Sequence, residues 1–121
     1  MPIIEHCLTV YKKWFEYRNH FPKKSRYTLG DKIDSLFLQT LELLFIASYQ
    51  TKEDKLRTLR LAIKKLDLLK FFFRISWELK IIDTEKYIIV SEQLQEIGRM
   101  LGGWKKGLES KTPPPNAEEK Y

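Results

Sequence analysis

The chain predicts an all-α fold, an up-down-up-down four-helix bundle, on three observations. Apolar residues recur at spacings of three and four through four separate stretches. The breaks between these stretches are short and carry helix-ending or helix-starting residues, so sequential helices pack antiparallel. No stretch shows the strict alternation of a half-buried strand. A chain of 121 residues is one domain's worth, long enough to bury a core without disulfides or metal. The bundle is expected over residues 1–108, followed by a flexible Pro-rich C-terminal tail over 109–121.

The first helix is expected over about 3–21. Ile4, Cys7, Leu8, Tyr11, Trp14 and Phe15 form its apolar stripe, opposed by Glu5, Thr9, Lys12, Lys13, Glu16 and Asn19. Proline cannot donate its N–H and disfavours helical geometry in the preceding residue, so Pro22 ends this helix near Phe21. The second helix, over about 29–50, carries Ile33, Leu36, Phe37, Leu41, Leu44 and Ala47. Leu38, Leu43, Phe45 and Ile46 widen its stripe enough to predict cover on two sides. Asp31 and Asp34 suit the positive end of its dipole.

Thr51, with Glu53 and Asp54 behind it, is a helix-starting signal for the third helix, over about 52–81. Leu56, Leu59, Ile63, Leu66, Phe73 and Trp77 form its buried row. Asp83 or Thr84 caps the fourth helix, over about 84–107, where Val90, Leu94, Ile97, Leu101, Trp104 and Leu108 repeat like a bundle seam. Gly98 and Gly102 lie one turn apart on its face. Each glycine costs about 1 kcal/mol against alanine in a helix, so the pair predicts close approach of another backbone or a large aromatic.

A single cysteine, Cys7, excludes an internal disulfide, and its place on the apolar stripe makes it a buried small hydrophobe. There is no Gly-rich phosphate loop after a strand, no cluster with metal-ligand spacing and no nucleophile-base set, so no catalytic residue, cofactor or metal is expected. No uncharged stretch approaches the ~20 residues needed to span a bilayer, and no secretory signal is evident, so a cytoplasmic location is expected. Sixteen aromatic residues exceed what one small bundle core hides. Some of Tyr11, Tyr17, Tyr49, Phe71, Tyr87 and Trp104 are therefore expected at the surface, and self-association is expected to cover them.

The net charge of +6 and pI near 9.4 favour acidic partners. Two basic groups stand out. Lys23, Lys24 and Arg26 crowd the junction between the first two helices beside Tyr27, where they form either a solvated loop or an anion-facing one. In the third helix Arg57, Arg60 and Lys64 fall on one exposed strip with Lys65 beside it, and Lys52–Lys80 carries nine cations against four acids. That excess is more than solubility requires.

The junction FPKKSRYTLGDKI at 21–33 and the segment EIGRMLGGWKK at 96–106 together resemble the two signature segments of the four-helix-bundle proteins typified by Avd, the accessory variability determinant of diversity-generating retroelements. Relatives of that bundle are also encoded in intervening sequences of bacterial large-subunit ribosomal RNA genes. The similarity covers about residues 3–108. It implies a positively charged homopentameric barrel of four-helix bundles, without catalytic residues, that binds the retroelement reverse transcriptase and its template RNA in mutagenic retrohoming. The positions that match are Pro22, Lys23, Arg26, Tyr27, Leu29 and Gly30 at the junction, and Gly98, Arg99, Leu101, Gly102 and Trp104 in the last helix. Pro22, Tyr27, Leu29 and Gly30 are expected to set the angle between the first two helices. The strip of Arg57, Arg60 and Lys64 rests on charge alone. The competing expectation is an orphan bundle of the same family, a protein-interaction module without a retroelement role, whose charge confers only solubility.

Overall fold

The computed structural model describes residues 1–111, and the Pro-rich segment beyond Lys111 lies outside them. Among the described residues there is no strand. Four long helices make up the fold: α1 (Pro2–Arg18), α2 (Asp31–Ala47), α3 (Lys52–Glu78) and α4 (Thr84–Lys111). Each packs against two neighbours, α1 on α2 and α4, and α3 on α2 and α4, which is the four-cornered arrangement of a bundle.

The core runs down the bundle axis. Ile3, Cys7, Val10 and Trp14 come from α1, Ile33, Leu36, Phe37, Leu44 and Ala47 from α2, Leu59, Ala62, Leu66, Leu69 and Phe73 from α3, and Val90, Leu94, Ile97 and Leu101 from α4. Trp14 has no exposed surface. Its ring meets Phe21 and Phe73 edge-on and stacks on Phe37, so one residue ties α1 to the junction, α2 and α3. Its indole N–H donates to Asp34 Oδ1 at 3.2 Å, and Tyr11 Oη donates to the same oxygen at 2.9 Å. Arg18 completes the cluster, pairing with Asp31 and, at 3.6 Å, with Asp34. Burial pushes the Cys7 thiol up to about 12, as befits an inert core residue.

Partial burial, and then the hydrogen bond to Asp34, push the Tyr11 hydroxyl up from 10.0 to about 12. The raised value means that the folded protein holds this proton more tightly than the unfolded chain. The stabilisation is therefore complete below pH 10 and is lost as pH rises towards about 12. An absorbance titration is expected to show one tyrosine ionising late, and Asp34→Ala is expected to bring that step back towards the others.

Several boundaries and faces differ from the sequence expectation. α1 ends at Arg18, not near Phe21, because the chain tightens over Asn19–Phe21 into i to i+3 hydrogen bonds before Pro22. Its buried row is Ile3, Cys7, Val10 and Trp14, so Leu8 and Phe15, read from sequence as part of the core stripe, are exposed. α2 is likewise uncovered on one side, with Leu38 and Phe45 exposed, because the helices it packs against most closely among the described residues are α1 and α3. Thr51 occupies the N-cap position of α3, but its hydroxyl bonds to the Asp54 carboxylate at 3.3 Å instead of a backbone N–H. Asp83 does cap α4, accepting the Lys86 N–H at 2.9 Å. α4 continues to Lys111, past the expected end near 107 and into the segment read as tail.

α3 ends at Glu78, short of the expected 81, in a Schellman turn: the Lys80 N–H reaches Trp77 O at 2.9 Å and the Ile81 N–H reaches Ser76 O at 2.8 Å. Lys80 holds the left-handed position with φ 62°, where glycine is the usual occupant and a side chain costs about 1 kcal/mol.

Candidate nucleic-acid interface

The junction read from sequence as a basic loop is helical. Pro22 is extended, with ψ 143°, and caps one α-turn, Lys23–Ser25, which passes through a π-turn, Arg26–Gly30, directly into α2. The π-turn inserts an extra residue per turn and re-aims the side chains that follow. Lys23 and Lys24 thus stand, exposed, in the first turn of a continuous helical segment that has no acid there. Their charge adds to the positive helix end instead of offsetting it, which is unfavourable without an anion. No carboxylate lies within 4.0 Å of either among the described residues.

The other junction residues divide between scaffold and surface. Arg26 turns its guanidinium inward onto Phe21 O, at 3.3 Å from Nε and 3.2 Å from Nη2, and so holds the bend. Gly30 is buried, and a Cβ there would meet Ser25 O at 3.4 Å and Arg18 Nε at 3.5 Å. Leu29 is half-buried and Pro22 exposed, while Tyr27 is 65% exposed, an aromatic ring on the same surface as the two lysines.

Arg57, Arg60 and Lys64 lie exposed along α3, on one strip about 10 Å long at 1.5 Å per residue, with Lys65 half-buried on the next row. Two of the cations are partly engaged. Arg57 pairs with Asp54 one turn back, and Arg60 approaches Glu109 of α4 at 3.7 Å. Glu109 also takes Lys105 at 3.0 Å, and that hydrogen bond, more than Arg60, holds its carboxyl below the usual range. Lys64 and Lys65 have no such partner among the described residues. Exposed pairs of this kind are weak, so a phosphate can replace the carboxylate at little cost.

The fold does not bring the two basic groups together. The junction sits where α1 ends and α2 begins, whereas the Arg57 strip belongs to the first half of α3, beyond the 17 residues of α2 and at the other end of the bundle. An acidic partner touching both has to run along roughly 25 Å of bundle.

The glycines of α4 differ from expectation too. A Cβ on Gly98 would meet the flexible end of Lys70 at 3.1 Å and Leu66 at 3.6 Å, while Cβ atoms on Gly102, Gly103 and Gly107 would meet nothing within 4 Å among the described residues. Close approach therefore holds only at Gly98, and there to side chains, not to a backbone or a large aromatic. Trp104 is half-buried beneath the ammonium of Lys55, 5.9 Å from its ring centre. Sequence reasoning missed the exposed flank formed by Leu8 and Phe15 of α1 with Leu38 and Phe45 of α2. The signal was there, in apolar stripes wider than a two-neighbour helix can bury.

Among the described residues no group of three or more His, Cys, Asp or Glu could hold a metal ion, and no helix is long and apolar enough to cross a membrane. No curated protein matches the chain in sequence. The family model described as bAvd-like matches residues 3–108, which takes in both segments that carry the resemblance and all four helices except Pro2 of α1 and the last residues of α4, and the chain belongs to that family.

Proposed function

We propose that the protein is a non-enzymatic accessory factor of a diversity-generating retroelement, which binds the reverse transcriptase and its template RNA through basic surfaces in support of mutagenic retrohoming. Membership of the bAvd-like family supports the role. The observation that carries the RNA contact is the pairing of unengaged cations with an exposed helix face: Lys64 and Lys65 on α3 beside two loosely paired arginines, and Lys23 and Lys24 on a positive helix end. Such groups grip phosphate with little base selectivity.

The working form is a homopentamer. Phe15, Phe45, Tyr49 and Phe71 are 53% to 67% exposed in the single chain, and Leu8 and Leu38 extend the first two into an apolar flank along α1 and α2. In register, Tyr11 meets Asp34 across that seam, which sets Leu8 and Leu38, each about one turn on, beside one another. Light scattering is expected to give about five times 14.5 kDa, and Phe15→Glu with Phe45→Glu to reduce that mass. The same flank favours a second reading, a protein-interaction bundle without a retroelement. Co-expression with the neighbouring reverse transcriptase and its RNA separates them: a stable three-component complex supports the accessory role, and a pentamer that captures neither supports the orphan module.

A further inference from the structure

The junction end of the bundle holds a cavity of about 710 Å³ that the basic strip of α3 does not touch. It opens between the end of α1, the Schellman turn that closes α3 and the start of α4. Tyr17, Phe21, Trp77 and Ile81 supply aromatic and aliphatic wall. Trp77 is already held as a platform: its indole N–H donates to Thr84 Oγ1 at 3.0 Å, and Tyr87 stacks on it with ring centres 4.6 Å apart and planes 6° from parallel.

The polar lining leaves a cation over. Glu78 is engaged by Arg74 at 2.7 Å, and Asp83 by the Lys86 ammonium at 3.3 Å and backbone N–H at 2.9 Å. Lys80 has no carboxylate partner among the described residues, and His20 lines the same mouth. Lys80 holds its place at φ 62°, in the strained position of the turn, so the backbone itself directs this residue. Flat aromatic walls with an unpaired cation at the rim are complementary to a planar ring that carries an anionic group, and the volume lies within the range of small-molecule sites.

We propose that this cavity binds a nucleoside monophosphate unit, its base among Tyr17, Trp77 and Ile81 and its phosphate at Lys80 and His20. The unit is either a free mononucleotide or one unstacked nucleotide of an RNA strand. Phe21, a wall of the cavity, is followed directly by Pro22, Lys23 and Lys24, so a strand crossing the junction lysines passes its mouth. The site goes beyond the proposed RNA contact on α3 and stands or falls separately from it.

The test is a titration of the full-length protein with adenosine 5′-monophosphate, followed at the Trp77 indole N–H by NMR and assigned with Trp77→Phe. Ribose 5-phosphate and a decaadenylate serve as the other probes. The expected result is a saturable shift with a dissociation constant at or below about 1 mM, and at least about fivefold weaker binding of ribose 5-phosphate. Lys80→Gly, which suits the turn and so folds, is expected to weaken the mononucleotide at least about threefold. Tighter binding of the decaadenylate than of the monomer assigns the site to a strand, and equal binding assigns it to a free nucleotide. No saturable shift at about 10 mM, equal binding of ribose 5-phosphate, or unchanged binding by Lys80→Gly overturns the proposal. Replacing Arg57, Arg60 and Lys64 by glutamate is expected to weaken the decaadenylate but to leave the adenosine 5′-monophosphate titration unchanged, so a failed RNA contact on α3 and a failed cavity give different results.

Discussion

Reversing Arg57, Arg60 and Lys64 to glutamate is expected to weaken binding of template RNA by at least about a hundredfold near 0.1 M salt, with the helical content intact. Each neutralised phosphate of a single strand contributes about 0.7 to the slope of log K against log salt, so losing three lowers that slope by about two. Reversal also places three carboxylates on a face that already holds Asp54, Asp67 and Glu109, which repels the strand instead of merely releasing it. The fold is not at stake. All three side chains are exposed, and exposed pairs such as Arg57 with Asp54 add little to stability. Filter binding across a salt series, with circular dichroism as the folding control, reads both quantities. Affinity within about threefold of the unaltered protein would move the RNA contact elsewhere, with the junction lysines next in line.

Replacing Trp14 by alanine is expected to cost about 3–5 kcal/mol, a large part of the ~5–15 kcal/mol of a domain this size. The ring is fully buried at the meeting point of α1, the junction, α2 and α3, against Phe21, Phe37 and Phe73. Its loss opens a cavity that four separate elements would have to close together. Trp14→Phe keeps most of the packing and deletes only the hydrogen bond to Asp34, which retains Tyr11 and Arg18, so about 1–2 kcal/mol is expected. Urea unfolding measures both. A loss below about 1 kcal/mol for the alanine variant would contradict the placement of Trp14 at the centre of the core.

The bundle was legible because the period of three and four is long, repeated four times and punctuated by Pro22, Thr51 and Asp83. What periodicity could not settle was how much of each stripe is covered. A helix with two neighbours buries a narrower face than Leu8, Phe15, Leu38 and Phe45 suggested, and only the packing of α1 and α2 decides which rows lose. The junction is the other instance. Pro22 and the basic residues after it read as a loop, yet proline is at home at the start of a helix and Gly30 fits a crowded π-turn, so the segment from Lys23 onward is helical.

The basic residues were all named from sequence, but not their states. Spacing alone placed Arg57, Arg60 and Lys64 on one strip. That Arg26 is turned inward onto Phe21 O, and that Arg60 shares Glu109 with Lys105, depends on partners distant in the chain or on backbone geometry that spacing does not encode. The cavity at the junction end was unreadable for the same reason, since Tyr17 and Trp77 meet there only because the bundle packing brings the ends of α1 and α3 to the level where α4 begins.

The most direct test of the proposed role is the salt dependence of template-RNA binding by the unaltered protein. A basic scaffold that holds RNA by its phosphates is expected to show log K falling linearly with log salt, losing at least about tenfold between about 50 and about 300 mM. Affinity that hardly changes over that range, or no binding at the lower salt, would contradict it.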